Sequence, residues 1–283
     1  MRLLKTLLLI GMGLLGLGIL PAQADEVISR FKRSDGKWGY VNSDHCWAIN
    51  PQFDVASGFD EGLANVIIGA EAGFIDKTGR MVINHQFDVT FGFRESLAAF
   101  LIGGTWGFID KTGRVVINQQ FGDVRGFDEG LAAVKIGRKW GFIDKTGRMK
   151  INPQFDYVRS FHEGLAAVEI GGKRGFIDKT GQLAINPQFD VAESFSDGLA
   201  QVKIGNKWGF IDKTGRMIIN PQFDDTFGFS ESLAAVKIGE KWGFIDKTGR
   251  VVINPQFDGA WQSFSDGLAY VKIGEEWGRI DKT

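Results

Sequence analysis

The stretch Lys139-Trp-Gly-Phe-Ile-Asp-Lys-Thr-Gly-Arg148, KWGFIDKTGR, decides the fold, because close copies of it return along the whole chain. The glycine after the Trp position falls at Gly39, Gly73, Gly107, Gly141, Gly175, Gly209 and Gly243, each 34 residues after the last, and then at Gly278 after 35. The extra residue lies in the segment around Trp261. A fixed period of this size marks a tandem array. Residues 25–283 are therefore read as one domain of seven repeats plus a truncated eighth, with no linker inside it. Residues 25–58 are read as an N-terminal capping unit, because Asn42-Ser-Asp-His-Cys-Trp-Ala-Ile49 replaces the hairpin pattern there.

Each unit holds three strand-like runs, such as Trp140–Asp144, Arg148–Asn152 and Leu165–Ile170, which are short, β-branched and aromatic. None has room for a helix. Asp-Lys-Thr-Gly, at Asp110 for example, resembles the phosphorylated signature of ion-pumping ATPases, but it recurs in nearly every unit, whereas an active site is needed once. Arg or Gln follows the Gly where the pump has Thr, and no nucleotide domain is present. The motif reads instead as a hairpin corner, with Asp accepting from the backbone two residues on and Gly in the left-handed conformation. Ile-Gly-x, as in Ile136-Gly-Arg138, reads as the second, two-residue turn. Asn-Pro-Gln-Phe, as at Asn152, is expected to end a strand, since proline lacks the donor that a ladder requires.

Alternation places Trp140 and Phe142 on one face and Ile143 on the other, so both faces of each small sheet are apolar and neighbouring units must cover each other. The indoles Trp38, Trp106, Trp140, Trp208, Trp242 and Trp277 are assigned as the structural glue. A buried Trp removes roughly 150–250 Å², an upper bound near ~5 kcal/mol. Ala72 and Arg174 stand at this position in units two and five, which are expected to be the loosest.

Residues 1–24 carry an early Arg2 and Lys5, an apolar run from Leu7 to Leu20 and Ala22-Gln-Ala24, the pattern of a secretory signal peptide cleaved near Ala24. The mature chain is expected to be exported, to a periplasm or beyond the cell, and to have no membrane span. The formal charge is -1 over 283 residues. Removing Arg2 and Lys5 makes it more acidic still, with both signs scattered evenly, so no nucleic-acid partner is expected. A lone Cys46 staples nothing and is read as buried and inert.

The acids Glu61, Glu95, Glu129, Glu163, Asp197, Glu231 and Asp266 follow a Phe-x pair in each connection and are read as turn or capping groups. His45, His85 and His162 stand at different repeat positions, so no metal site is expected, and no cofactor. The segment after Gln-Phe does not recur, and in an array such variable loops line one side. Phe91, Tyr157, Arg159, Phe227 and Trp261 are the candidate partner-binding residues, being of the types enriched at binding hot spots.

Lys139–Arg148, Ile219-Asn-Pro-Gln-Phe-Asp224 and Phe127-Asp-Glu-Gly-Leu-Ala132 resemble the WG (KWG) repeat of bacterial proteins, over about residues 27–283. The resemblance implies a β-rich tandem array with a role in interaction and no shared catalytic residue. The fold class is all-β: three-stranded antiparallel meanders stacked in an open array, with a closed β-propeller as the alternative. The open form is favoured because propeller blades carry four strands and this unit offers three. The expected function is a non-enzymatic scaffold binding a protein or peptide. The alternative is a module binding cell-wall or other carbohydrate, such as cell-envelope polysaccharide.

Overall fold

A computed structural model describes residues 29–282, and the leader sequence lies outside them. The described residues form thirty strands and no helix, in eight antiparallel sheets. The first and last sheets have three strands and the six between have four. To the three expected strands the structure adds a fourth, Val55–Asp60 in the first of these six sheets and two residues long in the other five. In the sheet of Trp140 the order is Asp123–Val124, Leu131–Ile136, Lys139–Asp144 and Met149–Phe155, each paired with the next. The short strand opens the sheet and is called here its leading edge. From Phe155 the chain passes straight to the leading strand of the next sheet, Tyr157–Val158.

The turns are set by the residues that make them. Asp110 Oδ1 accepts from the Thr112 amide at 2.9 Å, the Thr112 hydroxyl at 2.6 Å and the Arg114 amide at 3.1 Å, while Gly113 takes φ +83°. The Thr112 hydroxyl leads the contacts that hold the Asp110 carboxyl below its ordinary 3.8. The N-terminal unit makes the same turn from different residues: Asn42 Oδ1 accepts from the Asp44 and Cys46 amides, and His45 takes the left-handed φ of 60°. Its hairpin is therefore kept. Cys46 is exposed beside this turn, so the expectation of a buried thiol fails: the corner puts it outside the stack.

The strand Met149–Phe155 also corrects an expectation, since it runs through Asn-Pro-Gln-Phe without stopping. Trp140 pairs with Phe155 and Phe142 with Ile151, leaving the proline in a bulge where no ladder donor is needed. The bulge presses its backbone onto the facing strand. A Cβ at Gly141 would lie 2.4 Å from the Ile151 carbonyl oxygen, which is why Gly follows Trp in unit after unit.

Sheets stack face to face. Trp140, Phe142 and Phe155 of one sheet form a core with Val158, Phe161 and Val168 of the next, and the same pattern recurs along the chain. Polar links reinforce the stack. Glu129, at φ 51°, accepts from the Gly164 amide and from Lys179 of the following sheet, both at 3.0 Å. Glu61 with Lys111, Glu95 with Lys145, Glu163 with Lys213, Asp197 with Lys247 and Glu231 with Lys282 repeat the link. Partial burial raises the Glu129 carboxyl, but the Lys179 and Gly164 bonds outweigh it and set the value below the ordinary 4.5. The recurring lysine and acid thus join successive sheets.

Trp140 and Trp242 are buried, Trp38, Trp106 and Trp208 half-buried, and Trp277 is exposed on the last sheet. The two units without Trp are not hollow. Ala72 is fully buried in a core that includes Ile67, and Arg174 lies 4.5 Å from the Tyr157 ring and pairs with Glu169 at 3.2 Å. The stack is open: Phe31 and Trp47 are exposed on the first sheet and Trp277 on the last.

Candidate functional site

The leading edges of successive sheets lie side by side, and there the sequence varies most. After each short strand one residue bonds back to the second strand: Phe91 to Ala99, Arg125 to Ala133, Arg159 to Ala167, Glu193 to Gln201, Phe227 to Ala235 and Trp261 to Tyr270. Four of the five residues chosen from sequence therefore share one structural column. Tyr157 does not. It belongs to the short strand itself, where it lies between the guanidinium groups of Arg125, at 5.2 Å, and Arg174, at 4.5 Å.

The column shares its residues between packing and exposure. Phe91 and Phe227 stack on Trp106 and Trp242 of their own sheets, with ring centroids 4.7 and 5.2 Å apart and planes at 25°. Phe227 belongs largely to the core, while Phe91 keeps 40% of its surface exposed. Arg125 covers Trp140 at 5.4 Å and donates through Nε to the Val158 carbonyl. Arg159 pairs with Glu193 of the next sheet. Trp261 is the most exposed large apolar side chain among the described residues, at 69%.

A second column, three residues on and four in the last sheet, was not singled out from sequence. It reads Asp60, Arg94, Asp128, His162, Ser196, Ser230 and Ser265, and from Arg94 onward each forms an isolated bridge to a Leu three residues later. The bridge turns each side chain to the same rim. Arg94 reaches Asp128 at 4.0 Å and His162 Nε2 lies 3.3 Å from the same carboxylate. Asp60, Phe91, Arg94, Arg125, Asp128 and His162 help to line one recess of about 460 Å³. Further along the rim, a recess of about 320 Å³ is lined by Ser196, Phe227, Ser230, Gln262, Ser263 and Ser265 among others. The readable signal was a position that changes charge from unit to unit between a constant Phe and a constant acid.

Chemically the rim offers alternating charge at one end and hydroxyl groups at the other. Among the described residues no cluster of three or more His, Cys, Asp or Glu has the geometry to hold a metal ion. The recurring acids are engaged elsewhere, in turns and in links between sheets.

No curated protein is similar in sequence to this chain. Among solved structures, it resembles one described as the crystal structure of the eukaryotic initiation factor, with a TM-score of 0.60 and 14% identity over 87% of this chain and 78% of that one. It also resembles dihydro-heme d1 dehydrogenase NirN in complex with DHE, with a TM-score of 0.54 and 12% identity over 90% of this chain and 71% of that one. At such identities the likeness is one of fold. Family assignment rests on the repeats: the WG containing repeat matches at residues 38–69, 73–106, 106–140, 140–173, 175–208, 208–242 and 242–277, and the chain belongs to the WG-repeat family.

Proposed function

We propose that this protein is an exported, non-enzymatic scaffold that binds a protein or peptide along the leading edge of its stack. The observation that supports this reading is the column from Asp60 to Ser265, which varies in charge while the residues around it recur. The recurring residues hold the sheets together; the rim row differs from unit to unit, and although Asp128 pairs with Arg94 and His162 there, such variation at exposed loops is what an interaction surface carries. Their arrangement favours a partner segment that is charged toward the Asp60 end and neutral, with hydrogen-bonding groups, toward the Ser265 end.

The non-enzymatic reading is supported by where the acids are engaged. Asp110 and its equivalents hold turns, and Glu129 and its equivalents hold sheets together, so neither series is poised over a recess. Export rests on the leader pattern of residues 1–24, and a mature N-terminus at Asp25 by mass spectrometry of the native protein is the expected check.

The site is tested by capture from cell-envelope extract on the immobilised full chain. An R94A/D128N variant is expected to lose a captured protein that the wild type and a K173A control both retain. Lys173 pairs with Asp190, away from the variable column. Equal capture by all three would contradict the assignment.

A further inference from the structure

Two recurring residues take no part in holding the stack. Each long outer strand carries an Asn and, two residues on, a Gln: Asn50 and Gln52, then Asn84 and Gln86, and so at every interval of 34 residues to Asn254 and Gln256. Every one of them is exposed. Among the described residues none of these Asn side chains makes a hydrogen bond, and of the Gln side chains only that of Gln120 does, reaching the Asn118 carbonyl at 3.4 Å. Other recurring polar groups are engaged, Asp110 and Thr112 in a turn and Glu129 and Lys179 between sheets.

The backbone does not call for these amides either. None of the Asn residues takes a positive φ, so the strand has no need of a side chain that tolerates one. The bulge does not select them with its proline, because the same register shift occurs in the two sheets where His85 and Gln119 replace proline, and Asn and Gln still flank that position. An exposed strand position accepts many residues, and Asn is among the less favoured. A neighbouring position on the same strands shows that freedom, changing from Val82 to Lys150, Ala184 and Ile218.

The two rows run the length of the stack, on the strand farthest from each leading edge. Each amide both donates and accepts, and neither row carries charge. A partner that engages all the pairs is long, repeats along its length, and offers groups that donate and accept at once. A polypeptide crossing the sheets fails on the repeat: an extended chain presents the same side about every 6.6 Å, whereas stacked sheets lie about 10 Å apart. A polyproline helix fails on the chemistry, since it has acceptors and no N–H. A peptide lying along one strand would use a single pair. A linear polysaccharide meets all three conditions, with hydroxyl groups on every ring. We propose that this outer edge binds a neutral, linear polysaccharide laid along the stack, each Asn–Gln pair holding hydroxyl groups of one stretch of the chain. A single pair binds weakly, and affinity comes from the number engaged together. The site lies across each sheet from the charged column, so either assignment can fail alone.

The test is isothermal titration calorimetry on the full chain with three neutral linear polysaccharides, namely dextran, glucomannan and a soluble β-1,3-glucan, beside the hexasaccharide of each and an oligoproline peptide. At least one polymer is expected to bind, and its hexasaccharide to bind about a hundredfold more weakly or worse. The fourfold variant N118A/N152A/N186A/N220A should weaken the polymer by about tenfold or more. These side chains are exposed and bond to nothing, so the variant should keep the wild-type thermal midpoint. R94A, on the charged column, should bind the polymer as the wild type does. Failure of all three polymers to bind, a hexasaccharide binding as tightly as its polymer, or unchanged affinity in the fourfold variant would overturn the proposal. Binding of the peptide that the fourfold variant loses would overturn it as well.

Discussion

Trp140 and Trp277 occupy the same position in sheets of the same design, yet one is 5% exposed and the other 49%. Both face a Lys across the ladder and precede a Gly, but Trp140 also pairs with Phe155 on a strand of its own sheet that the last sheet lacks among the described residues. Trp140 is covered by the next sheet, through Val158 and Phe161, and Trp277 is not. An indole in this fold is thus a half-made interface, and its contribution depends on the sheet packed over it. The missing strand, and not the next sheet, separates Gly141, pressed against the Ile151 carbonyl of its own sheet, from Gly278, around which an added Cβ would meet nothing within 4 Å.

The largest effect should come from the indoles themselves. W140A is expected to lower stability by ~3–5 kcal/mol, the range for truncating a large buried ring, while W277A should cost under ~1 kcal/mol; urea-melting midpoints measure both. The glycines should show a smaller contrast of the same kind. G141A forces backbone apart and should cost about 1–3 kcal/mol, whereas G278A should be nearly neutral in the same assay. A large loss in G278A would show that the glycine serves something other than the bulge.

Much of this was legible beforehand. The period, the hairpin at Asp-Lys-Thr-Gly and the need for units to cover each other come from residues such as Gly113 and Phe142, whose roles are set by local turn chemistry and by alternation. The two-residue leading strand was not legible, because Asp123–Val124 is too short to show alternation at all. The path of the chain through Pro153 was hidden for a different reason: a bulge removes the demand for a donor that a regular ladder would impose. At the candidate site, Phe91, Arg159, Phe227 and Trp261 were found because aromatic and Arg residues stand out in a variable loop. Asp60, Arg94, Asp128 and His162 were missed because each looks ordinary alone and only the stack lines them up.

The polar links give the smallest contrast. Because the Glu61, Glu129 and Glu231 carboxyls are held below their ordinary 4.5, their contribution is present above that value and lost as pH falls through the lower folded one. Melting temperature should therefore drop as pH falls below about 4.5, and less steeply in E129Q, which removes one link at a cost of about 1 kcal/mol or less at neutral pH. An acid limb as steep in E129Q as in the wild type would remove Glu129 from the set.

The most direct test is hydrogen exchange with mass-spectrometric detection on the W140A chain. If each indole is buried by its successor, exchange should quicken in its own sheet, Leu131–Phe155, and in the next, Ala166–Phe189, while Leu97–Phe121 before it keeps its wild-type protection. Exchange that quickened only within the substituted sheet, or equally on both sides of it, would contradict the account.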